Sequence, residues 1–308
     1  RSRDPSRTMA DETARLIAAL RATLDADASA RASAEDFLAV RSTEDGFLLR
    51  ALEVASSESF DAMTRQSAAV TFKNAVRKHW DPVEPDEVGA VKPRGTSEGE
   101  KAQCRTAMVG LMLRAPKLVA AQLSEALSIV CAVDFPERWE GLLPELVQRM
   151  GSAGNRDLRD VAGVLTTANA MFKRYRGATK TEELYKELKY VLDTFAKPLL
   201  ELTLELSAGL EANVGNVEAS RQLLTCLRLA CRVFFSLNSQ ELPEVFEDAM
   251  AEWMGAFHKF LTYDAPAGLA SSDDEKASEV DQVKAAVCDN INLYVEKNEE
   301  EFAPYLQT

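Results

Sequence analysis

The amino-acid sequence predicts an all-α protein, and three observations support this fold class. Apolar residues recur at spacings of three and four along almost the whole chain, which is the period of an amphipathic helix. Glycine (14 residues) and proline (11 residues) are scarce among the 308 residues, so few helix breakers are present. Aromatic residues account for only 7%, a composition that favours helices over sheets.

The periodicity defines twelve segments, which we predict to be helices. They are residues 12–24, a segment from 29 that includes 38, 47–54, 60–80, 98–113, 117–132, 142–150, 157–176, 181–210, 217–237, 243–261 and 280–298. In the first half, Ser29 and Ser59 are predicted as N-caps, since a serine hydroxyl can accept from a free backbone N–H of the first turn. Residues 81–96 are rich in proline and acids and are predicted to form a long loop.

In the second half, prolines and an acidic loop set the predicted boundaries. Pro198 is expected to kink or break the helix over 181–210, because proline removes a backbone donor. Pro243 suits the first turn of a helix. Residues 265–279 are predicted to form an acidic loop. A short basic cluster at 173–176 is explained by favourable interaction with a helix C-terminus.

The helices pair as helix, turn, helix, with about 45–50 residues per pair, close to the length of HEAT repeats. We therefore predict an α-solenoid (superhelix) of about six HEAT-type helical hairpins. Sequence similarity between the pairs is weak, so this prediction rests on helix spacing. A compact helical bundle is the alternative, although twelve helices would be many for one bundle.

Charge and composition exclude several classes of function. The net charge of −13 and the pI near 4.9 disfavour DNA, RNA and anionic membranes as partners, and suit a basic protein partner. The sequence contains no run of 18 apolar residues, so no membrane span is predicted, and no signal-peptide pattern is found. The five cysteines include no CxxC pair, which indicates reduced and mostly buried thiols in a cytosolic or nuclear protein.

The sequence contains no convincing catalytic arrangement. His79 and His258 lie far apart in the chain, and Cys226 and Cys231 are turned to different faces of one helix. Residues 177–181 lack the spaced glycine and the preceding strand of a phosphate-binding loop. We therefore predict that the protein is not an enzyme, with no catalytic residue, no metal site and no cofactor.

Several sequence words resemble the importin-β (karyopherin) family. They are TLDADAS at 23–29, AEDFL at 34–38, VTFKNAVRKHW at 70–80, and DFPERW at 134–139 followed by LLP at 142–144. Glu140 departs from the proline that is usual in the family after this tryptophan. Further words fit the CAS-type exportin branch of the family: FKRYR at 172–176, LKYVLDTF at 188–195, a segment over 236–248, and VCDN at 287–290.

This resemblance covers nearly the whole chain and implies an organisation and a function. It implies that the chain is similar to the N-terminal third of such an exportin. Residues 9–96 would form Ran-binding repeats 1–2 with a trailing loop, and residues 97–308 would form repeats 3–6 of an incomplete solenoid. Residues 1–8 are expected to be a tag or upstream sequence.

The implied function is a nuclear export receptor. It would bind Ran-GTP and importin-α, return importin-α to the cytoplasm and shuttle between nucleus and cytoplasm through the nuclear envelope, with nuclear pore proteins as further partners. Two alternatives remain open: another transport receptor of the importin-β family, and a HEAT-repeat scaffold with no GTPase partner.

In the family, Ran-GTP binds the second helices of the N-terminal repeats, and this implies a candidate site. Ala69, Phe72, Val76 and Trp80 form one stripe of the fourth helix and are predicted to face the core. The candidates for Ran-GTP binding lie outside that stripe or on the sixth helix: Thr71, Lys73, Asn74, Arg77, Lys78, Ser124, Glu125 and Ser128. An ordinary solvated helix face is the alternative interpretation of both surfaces.

Overall fold

The computed structural model of the protein describes residues 5–82, 94–151, 154–269 and 276–305. Within these ranges the chain forms α-helices and short 3-10 helices and contains no strand, which confirms the all-α prediction. The central part of the predicted loop over 81–96 and most of the acidic part of the loop over 265–279 lie outside the described residues. Two compact units divide the chain, Arg1–Trp139 and Glu140–Thr308.

Among its described residues, the first unit contains six helices in three successive pairs. They are α1 (Pro5–Ala22), α2 (Ala28–Arg41), α3 (Phe47–Ser56), α4 (Ala62–His79), α5 (Glu98–Arg114) and α6 (Lys117–Asp134). Within each pair the two helices pack on each other. Helix α3 also contacts α1 and α5, and α4 contacts α6, so the first and the second helices of the pairs form two layers.

The core of the first unit lies between these two layers. Ala69, Phe72, Val76 and Trp80 are fully buried, which confirms the predicted core stripe of α4. The residues of this stripe are three or four positions apart along the helix. Their side chains therefore form one continuous face that meets the neighbouring helices. The opposite face of α4 is left for other contacts.

Aspartates cap two of these helices where serines were predicted. Asp27 accepts from the backbone N–H of Ser29 at 3.1 Å, and Asp61 accepts from that of Thr64 at 2.9 Å. The predictions of Ser29 and Ser59 as caps were wrong. In both cases the carboxylate belongs to the last residue before the helix. Its negative charge also interacts favourably with the positive end of the helix dipole.

A buried glutamate caps α3 from a neighbouring helix. The Glu100 carboxylate of α5 accepts from the backbone N–H groups of Gly46 (2.9 Å), Leu48 (2.8 Å) and Leu49 (3.2 Å). Gly46, the residue before α3, has a φ of 79°, a conformation that favours glycine, and provides no side-chain cap. The first turn of α3 therefore depends on a side chain that is more than 50 residues away in sequence.

In the part of the second unit that the structure describes, there are eight α-helices, of which two are single turns. They are α7 (Leu142–Arg149), α8 (Leu158–Phe172), α9 (Glu182–Ala212), α10 (Val217–Asn238), α11 (Glu244–Glu247), α12 (Met250–Thr262), α13 (Glu279–Lys297) and α14 (Glu299–Phe302). Helix α9 contacts α7 and α12 in one layer, and α10 contacts α8 and α13 in the other. The buried ring of Phe234 lies at the centre of this unit, with the rings of Phe246, Trp253, Phe257 and Tyr294 within 6.0 Å.

Three predicted helix boundaries in this unit differ from the structure. Helix α9 continues through Pro198, so the predicted kink or break did not end it. Proline removes only one donor of the ladder, and the flanking Phe195 and Leu199 remain fully buried on the same face. The predicted helix over 243–261 is divided into α11 and α12, and the helix over 157–176 ends at Phe172 and continues as a 3-10 helix, Lys173–Gly177.

Removal of the Glu100 carboxylate should open the start of α3. We expect Glu100→Ala to speed amide exchange in the segment that begins α3 by about 10- to 100-fold, since hydrogen bonds to a charged group each contribute about 1.5–3 kcal/mol. Hydrogen exchange with mass spectrometry would measure this. Glu98→Ala is the matched control, because Glu98 is exposed and makes only a salt bridge to Lys101. Equal exchange in the two variants would show that the Glu100 cap does not hold α3.

Candidate functional site

The eight predicted site residues all lie in the first unit, on α4 and α6. These two helices pack side by side, so the structure brings both predicted surfaces into one region. The residues form two groups within that region. One group lines a groove beside α2, and the other surrounds an ion cluster between α4 and α6.

The groove is bordered by α2, by α4 and by the end of α1, and has a volume of about 670 Å³. Thr71, Asn74 and Lys78 line it from α4, on the face opposite the buried stripe. Asn74 and Lys78 are exposed, and Thr71 is half-buried. Glu35 and Asp36 line the groove from α2, so it presents amide, ammonium and carboxylate groups together.

The ion cluster joins α4 to α6 through Glu125. Lys73 Nζ lies 3.4 Å from Glu125 Oε2, and Arg77 donates to Glu125 Oε1. Burial raises the pKa of the Glu125 carboxyl, but the hydrogen bonds and positive charges of Lys73 and Arg77 outweigh this effect, and the pKa lies below its ordinary value. Glu125 is therefore ionised at neutral pH and fixes two cations on the surface.

Ser124 and Ser128 lie on either side of Glu125 in the sequence of α6, and both are half-buried. No hydrogen bond joins either hydroxyl to Lys73 or Arg77 in the described residues. The two serines therefore contribute uncharged polar surface beside the cluster, while the charged contacts between the helices pass through Glu125.

The relation between α4 and α6 is fixed by Asp134, which sequence reasoning did not single out. Asp134 is fully buried, and its Oδ2 accepts from Trp80 Nε1 at 3.1 Å and from Arg105 at 2.6 Å. Arg138 lies 3.6 Å from the other carboxylate oxygen. Two sequence words that were noted separately, VTFKNAVRKHW and DFPERW, are therefore in direct contact. The pairing of an acid with an arginine four residues later was the available signal.

His79 is half-buried, and four of the five cysteines are buried. His79 Nε2 lies 3.1 Å from the hydroxyl of Ser42, and burial together with the charge of Lys78 lowers its pKa. Four cysteines are buried, as predicted, and Cys288 is exposed. Burial raises the pKa of Cys104, Cys226 and Cys231 to about 12, so these thiols are unreactive near neutral pH.

Within the described ranges, no group of three or more His, Cys, Asp or Glu side chains is arranged to hold a metal ion. None of the helices described there combines the length and the hydropathy that a membrane crossing requires.

Comparison with known proteins places this geometry in a family. The model of the importin-beta N-terminal domain matches residues 34–114, which include α4, and the Cse1 family model matches residues 171–308. Exportin-2 of Oreochromis niloticus is 41% identical over 290 residues, and Exportin-2 of Homo sapiens is 39% identical over 290 residues. Each alignment covers 93% of this chain and 28% of the relative.

Solved structures agree with these matches. The exportin Cse1 in its cargo-free, cytoplasmic state superposes with a TM-score of 0.84 at 32% identity, over 95% of this chain and 30% of that one. Importin beta superposes with a TM-score of 0.61 at 13% identity, over 95% of this chain and 30% of that one, which is a likeness of fold.

The class is thus that of helical HEAT-repeat solenoids, as the helix spacing predicted. The chain carries matches to the importin-beta N-terminal domain and to the Cse1 domain, and it is similar to the Exportin-2 proteins over 93% of its length. It spans 28% of the length of the curated Exportin-2 relatives cited above.

Removal of the Asp134 charge should loosen the junction between α4 and α6. We expect Asp134→Asn to lower the free energy of unfolding of the first unit by about 3–5 kcal/mol, because it leaves the buried end of Arg105 without its counter-charge. Amide exchange in α4 and α6, measured with increasing urea, would report this loss for the first unit.

The matched control is Glu137→Gln, since Glu137 lies in the same turn and is exposed. We expect this variant to change the stability by less than about 0.5 kcal/mol. If Asp134→Asn were as stable as the control, Asp134 would not be the residue that holds the two helices together.

Proposed function

We propose that this chain is the small-GTPase-binding part of a nuclear export receptor. The receptor binds Ran-GTP together with importin-α and returns importin-α to the cytoplasm. The observation that carries this proposal is the extent of the similarity, since proteins named Exportin-2 align over 93% of the chain and the exportin Cse1 superposes over 95% of it. The receptor shuttles between nucleus and cytoplasm and meets nuclear pore proteins on the way. It holds its GTPase without hydrolysing the nucleotide.

The surface of α4 and α6 is the proposed contact with the GTPase. Thr71, Asn74 and Lys78 supply hydrogen-bonding groups along the groove, where a partner can be read by several polar contacts at once. The groove also includes exposed apolar side chains, since Leu24 is 48% exposed and Met63 is 62% exposed. A mixture of polar rim and apolar floor suits a protein partner.

The ion cluster adds a preorganised charged element to the proposed contact. Lys73 is only 15% exposed and is held by Glu125, so it loses little side-chain freedom when a partner binds. Arg77 is 54% exposed and keeps part of its guanidinium free for an acidic group of the partner. Ser124 and Ser128 extend this polar surface along α6.

The acidity of the chain supports a cationic cargo. At a net charge of −13, the receptor attracts a basic protein segment at long range and raises the rate of encounter. Importin-α, whose N-terminal segment is basic, fits this requirement. The same electrostatic attraction should weaken as salt is added, because counter-ions screen it within about 10 Å at 0.1 M.

The proposed contact can be tested with two substitutions on the exposed face of α4. We expect the chain to bind Ran-GTP at least tenfold more tightly than Ran-GDP at low salt, and Asn74→Ala with Lys78→Glu to weaken Ran-GTP binding at least tenfold, which corresponds to about 1.4 kcal/mol. Biolayer interferometry, with and without importin-α, would measure both affinities.

The control is Lys186→Glu, a change of the same charge at an exposed position of the second unit. It should leave Ran-GTP affinity within about twofold. An unchanged affinity of the Asn74 and Lys78 variant would place the GTPase elsewhere. Absence of any preference for the GTP form, even with importin-α present, would overturn the function itself and favour a scaffold.

A further inference from the structure

Three arginines of the second unit line one open cavity of about 290 Å³. Arg176 reaches it from the 3-10 helix Lys173–Gly177, and Arg228 and Arg232 reach it from α10. Helix α13 closes the other side with Ala286 and Asp289. The cavity lies in a different unit from the surface of α4 and α6, so its chemistry is separate from the proposed GTPase contact.

The Arg176 side chain is held in place by two hydrogen bonds and an aromatic ring. Its Nε donates to Ser236 Oγ at 3.0 Å, and one Nη donates to the backbone carbonyl of Arg232 at 3.0 Å. The guanidinium stacks over Phe235 at 4.8 Å from the ring centroid. These contacts fix the plane of the group and leave its second Nη for a ligand. The neighbouring Arg174 turns the other way and pairs with Glu187.

Arg228 and Arg232 stand one helical turn apart on α10, and so face the same side. Within the described ranges, neither arginine has a carboxylate at salt-bridge distance. On the adjacent α9, by contrast, Lys186 pairs with Glu182 and Lys189 pairs with Asp193. Burial lowers the pKa of Arg176 and of Arg228, and the charge of Arg232 lowers both further. Arg232 therefore repels both Arg176 and Arg228, and Asp289, which lines the same cavity, offsets this repulsion at Arg176.

A cluster of three like charges that faces a single aspartate keeps a net positive charge, and it is stabilised when an anion enters. Guanidinium groups bind the oxygens of phosphate with two parallel hydrogen bonds, and arginine clusters are a recurrent means of reading phosphorylated segments. A phosphate carries nearly two charges at neutral pH and suits three arginines and one aspartate better than a single carboxylate does. The rest of the chain is strongly acidic and repels nucleic acid and anionic membranes, so a peptide is the favoured carrier.

We propose that this cavity binds a phosphorylated serine or threonine side chain of a protein segment. The three arginines hold the phosphate oxygens. Phe235 and the exposed Ala285 provide an apolar edge against which the neighbouring peptide backbone packs. The site would let phosphorylation of a partner add to its affinity for the second unit, without any change at the surface of α4 and α6.

Fluorescence anisotropy with a labelled phosphoserine pentapeptide tests this assignment. The phosphopeptide should bind at least tenfold more tightly than the same peptide with serine or with glutamate in its place. Arg228→Gln with Arg232→Gln should weaken its binding at least tenfold. Arg221→Gln is the matched control, because Arg221 is exposed on the same helix and lies outside the cavity, and it should stay within twofold.

A second measurement uses the wild-type chain, so it does not depend on whether a variant folds. Saturation with the phosphopeptide should slow amide exchange in α10 and α13 and leave α4 unchanged. Equal binding of the glutamate peptide would overturn the phosphate assignment, and inorganic phosphate that binds as tightly as the phosphopeptide would overturn the peptide assignment. Absence of binding, or unchanged exchange in α10 and α13, would overturn the site as a whole.

Discussion

One buried carboxylate holds the junction of α4, α5 and α6 together. Asp134 is fully buried at the end of α6, where it accepts from the indole of Trp80 at the end of α4 and from Arg105 of α5. A buried charge is stable only where its partners surround it, so the ends of α4 and α6 must meet the middle of α5 at this point. The faces that α4 and α6 turn outward follow from that junction. The groove residues and the ion cluster around Glu125 depend on it.

Apolar inner faces and charged outer faces are separated in the same way along the rest of the chain. The inner faces are mainly apolar, and two of the charged groups that remain inside, Glu100 and Asp134, act as a cap and as a junction between helices. Some charged groups outside form ion pairs, such as Lys186 with Glu182 and Lys189 with Asp193, and exposed pairs of this kind contribute little to stability. Other polar groups line an open groove or cavity, where a partner can reach them. They are Asn74 and Lys78 in the first unit, and Arg228 and Arg232 in the second.

Periodicity was sufficient to predict the helices, because the spacing of apolar residues directly reflects burial along one face. The stripe from Ala69 to Trp80 was assigned correctly for this reason. Helix ends were less accessible to the same reasoning. Nearby acids can replace serines as caps, as at Asp27, and a proline such as Pro198 costs a single hydrogen bond in a helix that is well packed on both sides.

Long-range contacts could not be predicted from one sequence. Glu100 lies 52 residues from Leu48 at the start of α3, and Trp80 lies 54 residues from Asp134. A local pattern can mark Asp134 as paired with Arg138, but no local pattern identifies the distant partner of either carboxylate. The sequence predicted which residues of α4 and α6 are polar, but not that Lys73 and Arg77 share Glu125. The arginine cavity is assembled from separate segments, and its basic word at 173–176 had a sufficient local explanation in the helix end.

The central claim is that the outward face of α4 and α6 binds a GTPase in its GTP form. Hydrogen exchange of the chain with and without Ran-GTP tests this claim most directly, since it reports every helix at once. We expect amide exchange in α4 and α6 to become slower with Ran-GTP and to remain unchanged with Ran-GDP. Protection by Ran-GTP that spared both helices would contradict it.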